Sequence, residues 1–195
     1  MLDALEADLD HLVAIKPSVC VEVGSGSGCN ITFLGTILRH NNINPALIST
    51  DINHHANKAT ISTGNANQVR VEAINTSLTL GLRPGTIDVL LFNPPYVPTE
   101  EAVPKPEEIW ESSEKCLEAA WAGGESGRFW IDKLLPFVPS LLTPHGSFYM
   151  VVVDENKPAD IVSMAARLGL NFKLIIDRKA RNEHLSIIRF TKKRS

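Results

Sequence analysis

The sequence predicts an α/β fold, a doubly wound sheet of seven strands that is parallel except for its last strand, which is antiparallel. Three observations carry this. Short apolar runs alternate with stretches of helical periodicity from Val19 to Leu168. The first run, Val19–Val23, passes straight into the glycine-rich turn Gly24-Ser25-Gly26-Ser27-Gly28 and then into a helical pattern. The last two runs follow one another with no helix between them, as a closing pair of strands would.

Taken in order, a helix over about residues 2–14 precedes the strand Val19–Val23. Ile31, Phe33, Leu34, Ile37 and Leu38 recur at helical spacing and predict a helix over 28–40. Ala46–Thr50 is a second short strand, ending in Asp51, and a helix near 54–63 follows. In Gln68–Ile74, Val69, Val71 and Ala73 alternate with polar residues, the pattern of an edge strand. Ile87–Phe92 is a fourth strand, stopped by Pro94 and Pro95, which cannot supply ladder N–H groups. Thr99–Ser113 holds Pro104, Pro106 and five glutamates without an apolar period, and reads as a mobile loop or lid. A helix carrying Ile131, Leu134, Leu135, Val138 and Leu141 is kinked or broken by Pro136 and Pro139. The strand Ser147–Val153, a helix over about 158–168 and strands near 171–177 and 185–191 complete the pattern. No internal repeat appears, and residues 1–195 read as one domain.

Composition excludes several classes. The chain has 19 basic and 22 acidic residues, a formal net charge of −3, so it carries no general basic footprint for nucleic acid. No apolar run has the length of a membrane span, and Met1-Leu2-Asp3-Ala4 lacks the basic start of a secretory signal, which predicts a cytoplasmic or nuclear protein without membrane contact. Cys20, Cys29 and Cys116 are odd in number and lack CxxC spacing, so neither a disulfide framework nor a metal site is expected. His54 and His55 are adjacent, so on a helix they point apart and read as a solvated helix start.

The chemistry concentrates in three places. Glycines in the turn after the first strand let a ligand lie against the backbone, whose free N–H groups bind polar atoms. Glu22 stands two residues before Gly24, where a carboxylate repels phosphate and attracts an amino group. Asp51 ends the second strand, a position from which an acid accepts from both hydroxyls of a ribose, with capping of the following helix as the other reading. Asn93-Pro94-Pro95-Tyr96 ends the fourth strand. There the Asn93 side-chain carbonyl and the Pro94 backbone carbonyl both suit one planar NH2 group, while Tyr96 offers a ring to stack on it.

Glu22-Val23-Gly24-Ser25-Gly26-Ser27-Gly28, Thr50-Asp51-Ile52-Asn53 and Phe92-Asn93-Pro94-Pro95-Tyr96-Val97 together resemble the class I S-adenosylmethionine-dependent methyltransferases, and among them the HemK/PrmC-like enzymes that modify glutamine in translation termination factors. Glu118-Ala119-Ala120-Trp121-Ala122-Gly123-Gly124, with Gly127-Arg128 after it, resembles the eukaryotic and archaeal branch. The resemblance spans about Leu2 to Lys192. It implies a Rossmann-like sheet in the order 3-2-1-4-5-7-6, with S-adenosyl-L-methionine as methyl donor and S-adenosyl-L-homocysteine as product. Cofactor residues would be Glu22, Gly24, Ser25, Gly26 and Gly28 for the methionine part, Asp51 for the ribose with Ile52 beside it, the Ile74–Leu78 region, Ser77 within it, near the adenine, and Asn93. Catalytic residues would be Asn93, Pro94, Pro95 and Tyr96. Relatives carry an acid where this chain has Ser77, and an N-terminal Pro-Ala-Glu-Asp-Thr-like segment for which no counterpart precedes the first helix here; a truncated start or a more open cofactor site is the expectation.

The function this implies is N5-methylation of the glutamine in the Gly-Gly-Gln motif of a class I release factor. The resemblance also implies a small zinc-binding activator protein adding a strand to the edge at Gln68–Ile74, with Val69, Val71 and Ile43 as apolar contacts. Alternatives are N6-adenine methylation of nucleic acid, since an exocyclic amine suits the same tetrapeptide, lysine methylation of protein, and an inactive truncated chain.

Overall fold

In the computed structural model, which describes residues 1–100, 103, 120–180 and 183–193, the apolar runs form one seven-stranded sheet. The strands are β1 (Val19–Val23), β2 (Ala46–Asp51), β3 (Glu72–Asn75), β4 (Ile87–Phe92), β5 (Leu142–Val153), β6 (Leu170–Ala180) and β7 (Glu183–Lys192), in the spatial order β3-β2-β1-β4-β5-β7-β6. Strands β1 to β5 pair in parallel, and β7 pairs antiparallel with both β5 and β6. This is the expected fold class and the expected order.

Side chains of a strand alternate between faces, so neighbouring residues serve opposite layers. Val21, Val23, Leu90, Phe92, Phe148 and Met150 share one core with Ile131, Leu134, Leu135 and Ile161. Those partners come from the helix Phe129–Leu134, the 3-10 turn Leu135–Phe137 and the helix Pro158–Arg167. Cys20, Leu47, Val89, Leu91 and Tyr149 face the other core with Leu5, Leu12, Ile31, Leu34 and Leu38, supplied by α1 (Leu2–Ala7), α2 (Leu9–Ile15) and α3 (Cys29–His40). Burial on both faces is why β1 and β4 read as nearly continuous apolar runs. The one polar side chain of β4, Asp88, accepts from the backbone N–H groups of Ser18 and Val19 at 2.8 and 3.1 Å and from the Thr143 hydroxyl at 2.8 Å. It ties together the chain entering β1, β4 and β5.

Three differences from expectation stand out. The first helix is broken at Asp8 (φ −111°, ψ 20°). Its carboxylate is 5% exposed and accepts from the Tyr149 hydroxyl at 2.8 Å and from the Arg189 guanidinium, a pairing that offsets the cost of burying the charge. The helix containing Pro136 and Pro139 is divided as expected, but the following strand starts at Leu142, earlier than Ser147, and β6 and β7 are longer than 171–177 and 185–191. The expected lid, Thr99–Ser113, lies outside the described residues apart from Thr99, Glu100 and Val103.

The third difference bears on recognition. Strand β3 is at the sheet edge, but it covers only Glu72–Asn75, and Val69 and Val71 precede it as buried core residues, 6% and 7% exposed. The cause is the glycine surface of two helices. A Cβ at Gly35 of α3 would stand 2.8 Å from Val69 Cγ1, and one at Gly64 of α4 (His54–Ala66) would stand 2.6 Å from the Val69 carbonyl and 3.1 Å from Val71 Cγ2. Ile43 also packs on this core. Val69 and Val71 are therefore unavailable as partner contacts, Ile43 is half-buried, and Ile74, 40% exposed, is the large apolar side chain that β3 presents.

Alanine is the better helix former by about 1 kcal/mol, yet Gly64→Ala is expected to destabilise the chain by about 1–3 kcal/mol in urea unfolding, because the backbone carbonyl of Val69 cannot yield to the new methyl group. A midpoint equal to or above the wild type would show that α4 can move away from Val69.

Candidate active site

Register brings three strand ends to one level. Val23 is the partner of Thr50 on one side and of Phe92 on the other, so Gly24, Asp51 and Asn93 leave adjacent parallel strands side by side. This is the carboxyl edge of the sheet at the point where strand order reverses, where open α/β sheets bind ligands. A cleft of about 210 Å³ opens there, lined by Gly24, Gly26, Asp51, Ile52, Asn53, Thr76, Ser77, Leu78, Phe92, Asn93 and Pro95 among others.

The glycine turn forms one wall. Gly24 and Gly26 have φ of +64° and +53°, and a Cβ built on either meets nothing within 4 Å, so the backbone faces open space. The Gly24 amide donates to the Thr50 carbonyl at 2.7 Å, anchoring the turn to β2. Asp51 braces it again: its carboxylate accepts from the Gly26 amide at 3.0 Å and the Asn53 amide at 2.8 Å. Burial pushes the Asp51 carboxyl above its ordinary range while these two amides pull it down. The Asp51 carbonyl is held by the side-chain amides of Asn57 and Asn75, each at 3.0 Å, and Asn75 also donates to the Ile52 carbonyl at 2.8 Å. The cap of α4 is Asn53, which accepts from the His55 amide at 2.9 Å, so the capping reading of Asp51 is displaced by one that leaves it facing the cleft.

The remaining wall follows β3 and β4. Ser77 lies in the cleft between Thr76 and Leu78, and the Thr50 hydroxyl donates to the Leu78 carbonyl at 2.7 Å, fixing that turn. Asn93 is exposed at the end of β4 and faces the cleft with Pro95, whereas Pro94 is buried and does not line it. Tyr96 is also off the cleft wall: it packs against the apolar cluster of Ala4, Val151 and Ile187.

Glu22, Ser25 and Gly28 stand behind the turn, outside the cleft lining. Glu22 is 1% exposed, and its carboxylate accepts from Asn30 Nδ2 at 2.7 Å and from the Ile31 amide at 3.1 Å, drawing it to the start of α3. The Ser25 hydroxyl shares a hydrogen bond of 2.8 Å with Thr60, and a Cβ at Gly28 would lie 2.6 Å from Thr60 Cα. Sequence reasoning missed Val23, Thr50, Asn53, Ala56, Phe92, Ala120 and Trp130 as lining residues. Those at strand ends were findable from register, but Ala120 and Trp130 come from a segment beyond β4 whose placement no local pattern gives.

Burial pushes the Glu22 carboxyl up to about 7, with the Asn30 and Ile31 hydrogen bonds opposing and the Asp51 charge adding to the rise. A carboxyl raised from 4.5 on folding contributes stability in full below 4.5 and loses it as pH rises through about 7. Between pH 5 and 8, therefore, Glu22→Gln should lose less unfolding free energy than the wild type, by up to about 3 kcal/mol. Urea unfolding at several pH values checks this, and parallel profiles for the two proteins would exclude titration of Glu22 in that interval.

Residues 6–131 match the family described as the methyltransferase small domain. The chain is 39% identical over 195 residues to the human protein named Methyltransferase HEMK2, covering 98% of this chain and 85% of that one. It is 35% identical over 202 residues to the Schizosaccharomyces pombe protein named eRF1 methyltransferase catalytic subunit mtq2, covering 97% and 84%. Among solved structures, the E. cuniculi Mtq2–Trm112 complex, described as responsible for methylation of the eRF1 termination factor, superposes with a TM-score of 0.65 at 23% identity, over 98% of this chain and 92% of that chain, and so shows the same fold. With its cleft at the carboxyl ends of β1, β2 and β4, the chain belongs to the methyltransferase small-domain family and, within it, to the HemK-like methyltransferases.

Proposed function

We propose that this enzyme transfers a methyl group from S-adenosylmethionine to the side-chain nitrogen of the glutamine in the Gly-Gly-Gln motif of a class I translation release factor. The observation that carries the reading is the level register of Val23 with Phe92, which sets the open glycine turn next to Asn93. The cleft fits the cofactor by its own chemistry: an open backbone wall at Gly24 and Gly26, a carboxylate at Asp51 for ribose hydroxyls, and apolar Ile52, Leu78 and Phe92 for a flat ring. When bound, S-adenosylmethionine supplies an electrophilic methyl group on a sulfonium whose departure leaves a neutral thioether.

The chain's own task is positioning. An amide nitrogen is a poor nucleophile because its lone pair is delocalised into the carbonyl. Asn93 Oδ1, at the cleft, and the backbone carbonyl of Pro94, whose ring is buried, accept the two hydrogens of the substrate NH2 group and hold its nitrogen towards the cleft, so that orientation supplies most of the rate. Tyr96 holds the end of this loop against the body of the fold. A small zinc-binding activator adds a strand at the β3 edge, next to the exposed Ile74. The name of the fission-yeast relative and the two-protein assembly of the E. cuniculi structure support the substrate and the partner.

The test is transfer of label from S-adenosylmethionine to a purified release factor, with a DNA duplex and a lysine-rich protein in parallel, each with and without the activator. Mass spectrometry should find the methyl group on the glutamine of Gly-Gly-Gln; label on adenine or lysine instead would overturn the proposal. Asn93→Ala should lower turnover on the order of 100-fold or more with cofactor affinity nearly unchanged. Retention of half the wild-type turnover would remove Asn93 from this role. Asp51→Ala should act the other way, weakening cofactor binding by about 1–3 kcal/mol in calorimetry.

A further inference from the structure

The loop that carries Asn93 is gripped from behind by one fully buried side chain. Asn156 closes the 3-10 turn Asp154–Asn156 after β5 and is 0% exposed. Its Oδ1 accepts from the Val153 amide at 2.9 Å, which orients the group and leaves the NH2 end pointing at three backbone carbonyls. Nδ2 donates to the Tyr96 carbonyl at 3.0 Å and lies 3.1 and 3.2 Å from the carbonyls of Ser126 and Gly127. Three carbonyl dipoles converging on a buried point repel one another unless a donor stands between them.

The surrounding backbone is packed too closely for any other spacer. A Cβ at Gly127 would lie 2.0 Å from the Tyr96 carbonyl and 2.5 Å from Asn156 Nδ2, and one at Gly123 would lie 2.5 Å from the Pro95 carbonyl. The Val97 amide donates to the Trp121 carbonyl at 3.2 Å, and the Gly123 amide to the Val97 carbonyl at 2.9 Å. The Trp121–Gly127 segment is thus the backing plate of the Asn93–Tyr96 loop. Pro94 and Pro95 have fixed φ, so fewer backbone torsions lie between Tyr96 and Asn93 to absorb a shift of the Tyr96 carbonyl.

We infer that Asn156 is a positioning residue for methyl transfer, holding the Tyr96 carbonyl so that Asn93 faces the cleft in the orientation the acceptor amide requires. The inference rests on the assignment of Asn93 to that amide. It touches neither substrate nor cofactor, so its loss should fall on kcat alone.

Asn156→Asp keeps the size and the acceptor for Val153 but replaces the donor by an oxygen. Gly127→Ala moves the Tyr96 carbonyl without adding a charge. Both variants are expected to lower kcat at least tenfold, with the dissociation constant for S-adenosylmethionine and the KM for the release factor within about threefold of wild type, and the double variant should lose far less than the product of the two. A purely structural role would lower the melting temperature and leave turnover per folded molecule unchanged; kcat within twofold of wild type in either folded variant overturns the inference. Hydrogen exchange at the Val97 and Gly123 amides gives a second readout that needs no activity. At least tenfold faster exchange there, with β1 and β4 amides unchanged, is expected in Gly127→Ala as well as in Asn156→Asp. If the wild type transfers no methyl group to the release factor, the functional reading fails by itself, and unchanged exchange at both amides would then overturn the clamp.

Discussion

The site depends on one constraint, the register of β1 between its two neighbours. Because Val23 sits level with both Thr50 and Phe92, the chain leaves three parallel strands at the same height, and the turn, the acid and the amide arrive together. A slip of a single residue in either pairing would turn every side chain of a strand to the opposite layer, exchanging the two cores. Cores filled by different residues on the two faces oppose such a slip: Val21, Leu90 and Phe148 on one side, Cys20, Val89 and Tyr149 on the other. The packing that stabilises the fold is thereby the same packing that aligns the site, and no separate device is needed to bring Gly24 next to Asn93.

The acids inside this apolar frame each brace something. Asp88 gathers the strand starts, Asp8 joins the first two helices to β5 and β7 through Tyr149 and Arg189, and Glu22 joins β1 to the start of α3 beneath the glycine turn. Asp8 and Glu22 are buried and Asp88 half-buried, and carboxylates out of water are expensive unless paired; in each case the partners are backbone amides or side-chain donors from a different element, so the cost secures one arrangement of elements. Glu22 is the instructive case. Read along the chain, it is a charge near a ligand's amino group; in the fold it is enclosed behind the turn and answers first to Asn30 and Ile31.

Fold class was readable because the signals for it are local and periodic. Apolar runs of strand length, the glycine turn and the closing pair of strands each need only a window of a few residues. The glycine turn, Asp51 and Asn93 were readable for the same reason, since each ends or follows a strand, whereas Ser77 entered only through the family resemblance. What local pattern does not carry is which face of an element meets which neighbour. Alternation of Val69 and Val71 with polar residues looked like an exposed edge, yet the bare surfaces of Gly35 and Gly64 on two helices receive both side chains. Asn156 shows the same limit from the other direction: three carbonyls from two separate loops meet it, and nothing near it in sequence announces them.

The edge strand has a further consequence for the proposed activator. β3 is one strand removed from the glycine turn, but Asn75 at its end holds the carbonyls of both Asp51 and Ile52, and Thr76, Ser77 and Leu78 run on from it into the cleft. As a strand of only four residues with one pairing neighbour, β3 is the least supported strand of the sheet. A chain added along its open side would satisfy its unpaired backbone groups and so steady Asn75, and through Asn75 the chain at Asp51, whose side chain lines the cleft. Binding at an edge remote from Asn93 would in this way act on Asp51 first and leave the Asn93–Tyr96 loop, whose Tyr96 carbonyl is held by Asn156 after β5, as it was.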